Sequence, residues 1–102
     1  MKNIQQSHFA RLVDHDLTRM QELLTDDTEI DAAALHELGL LAHHVAHSAH
    51  SVGLGQVTSA ADTLARKTEQ HSVPHGRLDV LAKLELWHLL IRLKTDVKAS
   101  RH

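Results

Sequence analysis

The sequence predicts an all-α protein, because several of its features favour helices over sheets. Apolar residues recur at three- and four-residue steps over four long segments. Only one proline and four glycines interrupt the 102 residues, so few positions break a helix. Aromatic residues make up 2% of the chain, which leaves a core of small aliphatic side chains that suits helix packing. No run of alternating apolar and polar residues is long enough for a strand.

We expect four amphipathic helices joined by short turns. Their approximate bounds are residues 5–24, 31–52, 54–70 and 77–97. Gly53 lies at the end of the second helix, where glycine is favoured, and Pro74 marks a loop over residues 71–76. Short connections of this kind predict a single antiparallel four-helix bundle over residues 1–102, with residues 98–102 as a frayed tail.

Each helix has an apolar stripe that we expect to form part of the core. In the first helix the stripe consists of Phe9, Leu12, Val13, Leu17, Met20, Leu23 and Leu24. In the second it consists of Leu38, Leu41, Ala42, Val45, Ala49 and Val52. In the third it consists of Leu54, Val57, Ala61 and Leu64. In the fourth it consists of Val80, Leu81, Leu84, Trp87 and Ile91, widened by Leu78, Leu89, Leu90 and Leu93. Acidic residues such as Asp16 are expected on a solvated face.

Composition and charge exclude several classes of function. The formal net charge of -2 with neutral histidines gives no electrostatic attraction to nucleic acid. The chain has no cysteine, which excludes disulfides and thiolate metal sites. No segment approaches the roughly 18 apolar residues of a membrane span, and the first residues do not resemble a signal peptide. We therefore expect a cytoplasmic protein that binds neither nucleic acid nor a membrane.

Histidine marks the predicted functional face. The chain contains eleven histidines, and five of them fall between His36 and His50. Helical spacing places His36, His43, His47 and His50 on one narrow side of the second helix, opposite its apolar stripe. Imidazole serves as a nucleophile, a proton carrier or a metal ligand, so this face is where we expect the chemistry.

Residues 41–53 read Leu-Ala-His-His-Val-Ala-His-Ser-Ala-His-Ser-Val-Gly. This stretch resembles the signature of histidine phosphotransfer (HPt) domains, approximately Leu-Ala-His-x-Leu-Lys-Gly-Ser-Ser/Ala-x-x-Leu-Gly, in which the third residue is phosphorylated. The matching positions are Leu41, Ala42, His43, Val45, Ser48, Ala49, Val52 and Gly53. The family's small or apolar residues four, eight and eleven positions past the glycine correspond to Val57, Ala61 and Leu64.

Two positions depart from the family pattern. Ala46 replaces the family's lysine, which lies near the phosphoryl group and can offset its charge. His47 replaces a glycine or serine that leaves room for a receiver domain. His47 lies one helical turn from His43, where it could supply a hydrogen-bond donor or block docking. Either the phosphorylation site uses different supporting residues, or the fold is retained without phosphotransfer.

The resemblance implies an HPt-like four-helix domain that acts as a phosphorelay intermediate. His43 would accept a phosphoryl group from an aspartyl phosphate on a response-regulator receiver domain and pass it to another receiver. Leu40, His44, His47 and His50 would support the site or the docking. A hybrid histidine kinase is the other implied partner. No cofactor is implied, and without a Gly-rich nucleotide loop the chain would be a phosphotransfer protein rather than a kinase.

Two other interpretations stay open. An HPt-like module that docks on a receiver or kinase without carrying phosphate would explain Ala46 and His47. A histidine-rich metal-binding bundle is the third, because the spacings of His43, His47 and His50 allow pairs of imidazoles to chelate zinc, nickel or copper. Leu40, close to the histidine face, is either a stray exposed leucine or an apolar contact for a partner.

Overall fold

The computed structural model describes residues 4–25, 32–70 and 80–99, with side chains for residues 8–25, 32–70 and 81–99. These residues form four α-helices and no strand, which confirms the predicted all-α class. The helices are α1 (Ile4–Thr25), α2 (Ala32–Ser51), α3 (Gly55–Gln70) and α4 (Val80–Ala99).

The predicted helix bounds agree with the structure to within a few residues wherever both can be compared. The predicted loop at residues 71–76 and the predicted start of the fourth helix at residue 77 lie outside the described residues. Lys98 and Ala99, which we assigned to a frayed tail, belong to α4. The remaining residues of that tail, 100–102, are also outside the described part of the chain.

The helices pack in a ring, because each one contacts two others. Helix α1 packs against α2 and α4, and α3 packs against the same two helices. Among the described residues the diagonal pairs, α1 with α3 and α2 with α4, make no close contact. The radius of gyration of 13.6 Å is near the roughly 13 Å expected for a folded chain of about 100 residues.

The core takes side chains from all four helices. Its largest fully buried members are Phe9, Val13, Met20, Leu38, Val45, Leu64, Leu86, Leu90, Leu93 and Val97. Helices α2 and α3 contribute small side chains to the core, where Ala42, Ala49, Ala61 and Ala65 are completely buried. Burial of this apolar surface is the main force that holds the helices together.

The predicted core stripe of α4 is wrong in part. Leu81, Leu84 and Ile91 are exposed. The buried face carries Leu90 and Leu93, as predicted, together with Ala82, Leu86 and Val97, which the predicted stripe did not include. Leu78 and the side chain of Val80 lie outside the described part of the chain. Leucine and isoleucine occur on nearly every side of this helix, so its periodicity does not single out one face, and the packing of α1 and α3 selects it. Trp87 is half-buried against the core, as expected. In α1, Leu12 is exposed, so its assignment to the core is also wrong.

The turn between α2 and α3 ends α2 with a Schellman motif. The N–H of Gly53 donates to the carbonyl of His50 at 3.1 Å, and the N–H of Leu54 donates to that of Ala49 at 3.0 Å. Gly53 has a φ of 77°, a left-handed conformation that glycine adopts at little cost. Because α3 begins at Gly55, this turn places α2 and α3 side by side.

Gly39 allows α2 and α3 to approach closely near the other end of their contact. A Cβ atom added at Gly39 would lie 2.6 Å from the Oγ1 atom of Thr68. Thr68 is buried, and its hydroxyl donates to the carbonyl of Ala65 at 2.6 Å. Because that hydrogen bond fixes the threonine rotamer, the hydroxyl cannot move away without losing a buried interaction.

We expect Gly39→Ala to destabilise the protein. Overpacking typically costs about 1–3 kcal/mol, whereas alanine gains about 1 kcal/mol over glycine inside a helix. In a Thr68→Ala background the clash is absent, and the same substitution should be stabilising. Urea denaturation of the four variants in a double-mutant cycle measures the difference. Gly55→Ala, where no atom lies within 4 Å, is the matched control. An equal effect of Gly39→Ala in both backgrounds would contradict this packing account.

Candidate functional site

Helix α2 has an imidazole face and a core face, as the sequence predicts. Leu38, Ala42, Val45 and Ala49 are completely buried. All five histidines of the helix are exposed: His36, His43, His44, His47 and His50. The helical period of 3.6 residues separates the two sets, because burying the apolar positions turns the intervening ones outward.

His43 contacts a carboxylate on α3. Its Nε2 atom lies 3.1 Å from Oε1 of Glu69, and both side chains are exposed, at 52% and 66% respectively. An ionised carboxylate only accepts hydrogen bonds, so Nε2–H is the donor. In the neutral ring the lone pair then resides on Nδ1. The contact therefore determines which nitrogen of His43 is available in this conformation.

A groove of about 240 Å³ lies beside this pair, between α2 and the last turn of α3. Its walls are formed by Ala32, Leu35, His36, Gly39, Leu40, His43, Thr68 and Glu69. Leu40 is exposed and borders the groove together with His43, so an apolar side chain and an imidazole occupy one surface. A partner that reaches His43 from this side would also meet Leu40.

A second groove, of about 330 Å³, continues on the other side of His43. Its walls are formed by His43, Ala46, His47, His50, Thr58 and Asp62. The structure thus brings three of the predicted site residues together with a carboxylate of α3. Ala46, which stands where the HPt family has lysine, is buried and contributes only a methyl group. His47 is exposed beside His43.

His44 faces a different helix from His43. Its Nδ1 atom lies 2.6 Å from Oδ2 of Asp16 on α1. The His44 side chain is 63% exposed, but that of Asp16 is only 13% exposed. The expectation that Asp16 lies on a solvated face is therefore wrong. Consecutive residues of a helix point about 100° apart, which is why one imidazole contacts α3 and the next contacts α1.

An ion pair lies nearby along the α1–α2 contact. The guanidinium of Arg19 donates two hydrogen bonds to Glu37, from Nε at 2.6 Å and from a terminal nitrogen at 3.1 Å. These hydrogen bonds hold the pKa of Glu37 below its ordinary value and raise the pKa of Arg19. Arg19 also contacts Glu22, at a longer 3.4 Å.

The predicted alternative of a metal site at His43, His47 and His50 gains no support from the geometry. These residues share one groove, but no three His, Asp or Glu side chains in the described part of the chain are arranged to hold an ion. Adjacent turns of a helix are about 5.4 Å apart, which separates imidazoles that project from the same side.

None of the described helices is long and apolar enough to cross a membrane.

Comparisons of the chain with protein-family models, with curated proteins and with solved structures find no match. The HPt resemblance therefore remains a prediction that rests on the residues of the signature and their register.

Three carboxylates of the site, those of Asp16, Asp62 and Glu69, were not indicated by the sequence pattern. Each lies directly beside a buried position, since Leu17, Ala61 and Thr68 are their immediate neighbours. An acidic residue at the edge of an apolar stripe is a signal that could have drawn attention to them. Their partners on α2 could not be read in this way, because the pairing depends on how the helices align.

We expect Glu37→Gln to reduce stability at neutral pH and to have little effect in acid. The pKa of Glu37 is lowered in the folded protein, so the pair stabilises the fold above the ordinary glutamate range and loses this effect as pH falls through the lowered value. Urea denaturation at pH 7 and at about pH 3 measures the difference between variant and parent. Glu22→Gln, which removes the longer contact to the same arginine, should show a smaller difference. A stability loss equal at both pH values would contradict the assignment.

Proposed function

We propose that this chain is a phosphorelay intermediate of the HPt type. His43 accepts a phosphoryl group from an aspartyl phosphate on a receiver domain and passes it to another receiver. The observation that supports this most strongly is that His43 is an exposed imidazole at the signature's third position. Around it, the signature positions Ala42, Val45 and Ala49 are completely buried.

The same register continues into α3, where Val57, Ala61 and Leu64 are all buried. These are the positions at which the family has small or apolar residues. A register shifted to His47 or His50 would lose the agreement at Gly53, which occupies the one left-handed position among the described residues. The helical turn and the buried positions therefore favour the same alignment.

An antiparallel HPt-like bundle is part of this proposal. Late residues of α2 meet early residues of α3 at His50 and Thr58, and Gly39 meets Thr68 at the other end. Helices α3 and α4 have the same pattern: Lys67 pairs with Glu85 at 3.1 Å, while Gln56 and Asp96 border one groove. Contacts that run in opposite directions along two helices are typical of antiparallel packing.

The proposed reaction requires that His43 be correctly positioned, and it needs no cofactor bound to this chain. The Nε2 lone pair of His43 attacks phosphorus, the N–P bond forms, and the P–O bond to the aspartate breaks, with the electron pair leaving on the carboxylate. Nε2 must first give up its contact with Glu69, and the ring proton must reside on Nδ1. Ion pairs between exposed groups contribute about 1 kcal/mol or less, so opening this contact costs little.

A receiver domain and a hybrid histidine kinase are the proposed partners, in the cytoplasm. Such a partner would approach along the two α2–α3 grooves, where Leu40 offers an apolar contact and His47 a hydrogen-bond donor. His47 stands where a family member has a small residue. A protonated imidazole at His47 would supply the positive charge that the family's lysine provides and that Ala46 cannot.

A second candidate function is an HPt-like module that docks on a receiver or kinase without carrying phosphate. The contact between Glu69 and Nε2 of His43 favours it, because the carboxylate occupies the reacting nitrogen and repels a phosphoryl group. Buried Ala46 adds no cation to offset that repulsion. Under this alternative the grooves serve recognition alone.

Incubation of the chain with radiolabelled phospho-receiver domains tests both candidates. We expect acid-labile label to reach the chain and to be lost in His43→Gln, whereas His88→Gln, which removes an exposed imidazole on α4, should retain it. The absence of transfer, or label that survives His43→Gln, would contradict phosphotransfer through His43. Receiver binding that is unchanged by His43→Gln, with no label transferred, is the result expected of the docking module.

We expect Glu69→Ala to accelerate labelling of His43. The substitution frees Nε2 and removes a negative charge beside the incoming phosphoryl group. Two unit charges about 4 Å apart in water interact by roughly 1 kcal/mol, which corresponds to about a fivefold change in rate. Single-turnover transfer from a phospho-receiver measures this rate. Gln70→Ala, at the neighbouring exposed position, is the control. Slower labelling would show that Glu69 assists the reaction.

A further inference from the structure

His43 and His44 are adjacent in sequence but are held through opposite ring nitrogens. His43 uses Nε2 in its contact with Glu69, at 3.1 Å. His44 uses Nδ1 in its contact with Asp16, at 2.6 Å. The two rings therefore differ in which nitrogen keeps its lone pair, although both are exposed imidazoles on the same helix.

Asp16 is well placed to orient the imidazole of His44. The carboxylate lies on α1 among Val13, Leu17 and Met20, all of which are buried, and only 13% of its own side chain is exposed. An ionised carboxylate only accepts, so Nδ1–H of His44 donates to it. The neutral ring then has its lone pair on Nε2. A carboxylate that fixes the tautomer and stabilises the imidazolium is the arrangement by which aspartate supports histidine in hydrolytic triads.

We propose that His44, positioned by Asp16, is a second phosphoryl acceptor that reacts at Nε2. Its donors are small phosphoramidates and small acyl phosphates, which reach His44 from solution, whereas a docked receiver delivers its phosphoryl group to His43. Nε2 attacks phosphorus and the N–P bond forms, while the P–N or P–O bond to the leaving group breaks and the electron pair departs with that group. The ring becomes an N-phosphorylated imidazolium whose Nδ1–H faces Asp16. The half-buried carboxylate of Asp16 stabilises this charge, and loss of the Nδ1 proton to water restores a neutral ring.

The two acceptors differ in what their neighbouring carboxylates do. Glu69 occupies the nitrogen of His43 that would attack, whereas Asp16 occupies the nitrogen of His44 that would not. His44 is thus the imidazole that can react in the observed conformation, without breaking a contact. This inference rests on the proposed function only for the class of donor, since the residue and the nitrogen follow from the contact with Asp16.

Small phosphodonors acting on the full chain test the inference. We would treat the protein and its variants with potassium phosphoramidate and with acetyl phosphate, locate the label by mass spectrometry, and identify the phosphorylated nitrogen by phosphorus NMR. We expect His43→Gln to be labelled on His44 at Nε2, and His44→Gln to lack that signal. His88→Gln, which removes an exposed imidazole on α4, should be labelled on His44 like the parent.

Asp16→Asn tests the positioning role of the carboxylate. We expect it to slow labelling of His44 by about tenfold or more, whereas a purely structural ion pair would alter the unfolding midpoint and leave the site of labelling unchanged. If this variant fails to fold, the nitrogen assignment in His43→Gln still decides the question, because it needs no change at Asp16. Label on Nδ1 of His44, no label on His44, or an unchanged rate in Asp16→Asn would overturn the inference.

The labelling of His44 by small donors and the labelling of His43 by a receiver can succeed or fail independently. Receiver-dependent label confined to His43, with no label on His44 from either small donor, would overturn this inference and leave phosphotransfer through His43 standing. Receiver-dependent label that survives His43→Gln and disappears in His44→Gln would overturn phosphotransfer through His43 and leave His44 as the acceptor.

Discussion

Helices α2 and α3 approach closely where Gly39 lies against Thr68, and the α2–α3 part of the candidate site depends on this contact. The absence of a side chain at Gly39 lets the two backbones approach, and the Schellman turn at Gly53 holds the other end of the pair. Between these points, both helices bury alanines in the core. Because the helices are this close, Glu69 reaches His43.

The chemistry of the site depends on which carboxylate each imidazole meets. Two neighbouring residues of a helix diverge by about 100°, so His43 faces α3 and His44 faces α1. Asp16 lies near the core and is mostly buried, whereas Glu69 is exposed. Asp16 contacts His44 from the side of the core, whereas Glu69 contacts His43 at the exposed surface. The two histidines thereby differ in which nitrogen is free to react: Nδ1 in His43 and Nε2 in His44.

Much of the fold could be predicted from local sequence patterns. Three-residue and four-residue spacing predicted α1, α2 and α3 within a few residues of their observed bounds, because helix periodicity is a local property. The same reasoning failed for the buried face of α4. Leucines surround that helix, so more than one face could have been buried, and contacts with α1 and α3 leave Leu81, Leu84 and Ile91 outside. Leu12 lies at the edge of the apolar stripe of α1, next to buried Val13, and is also left exposed.

For the site, the sequence by itself determined that His36, His43, His47 and His50 share a face opposite the core, since a single helix settles that geometry. It did not determine their partners. Asp16 lies 28 residues from His44 and Glu69 lies 26 residues from His43, and no local pattern relates positions on different helices. Only the tertiary structure decided these pairs, because they require the axial alignment and rotation of three helices. The packing of Gly39 against Thr68 aligns α2 with α3, and the core packing of α1 against α2 provides the other alignment.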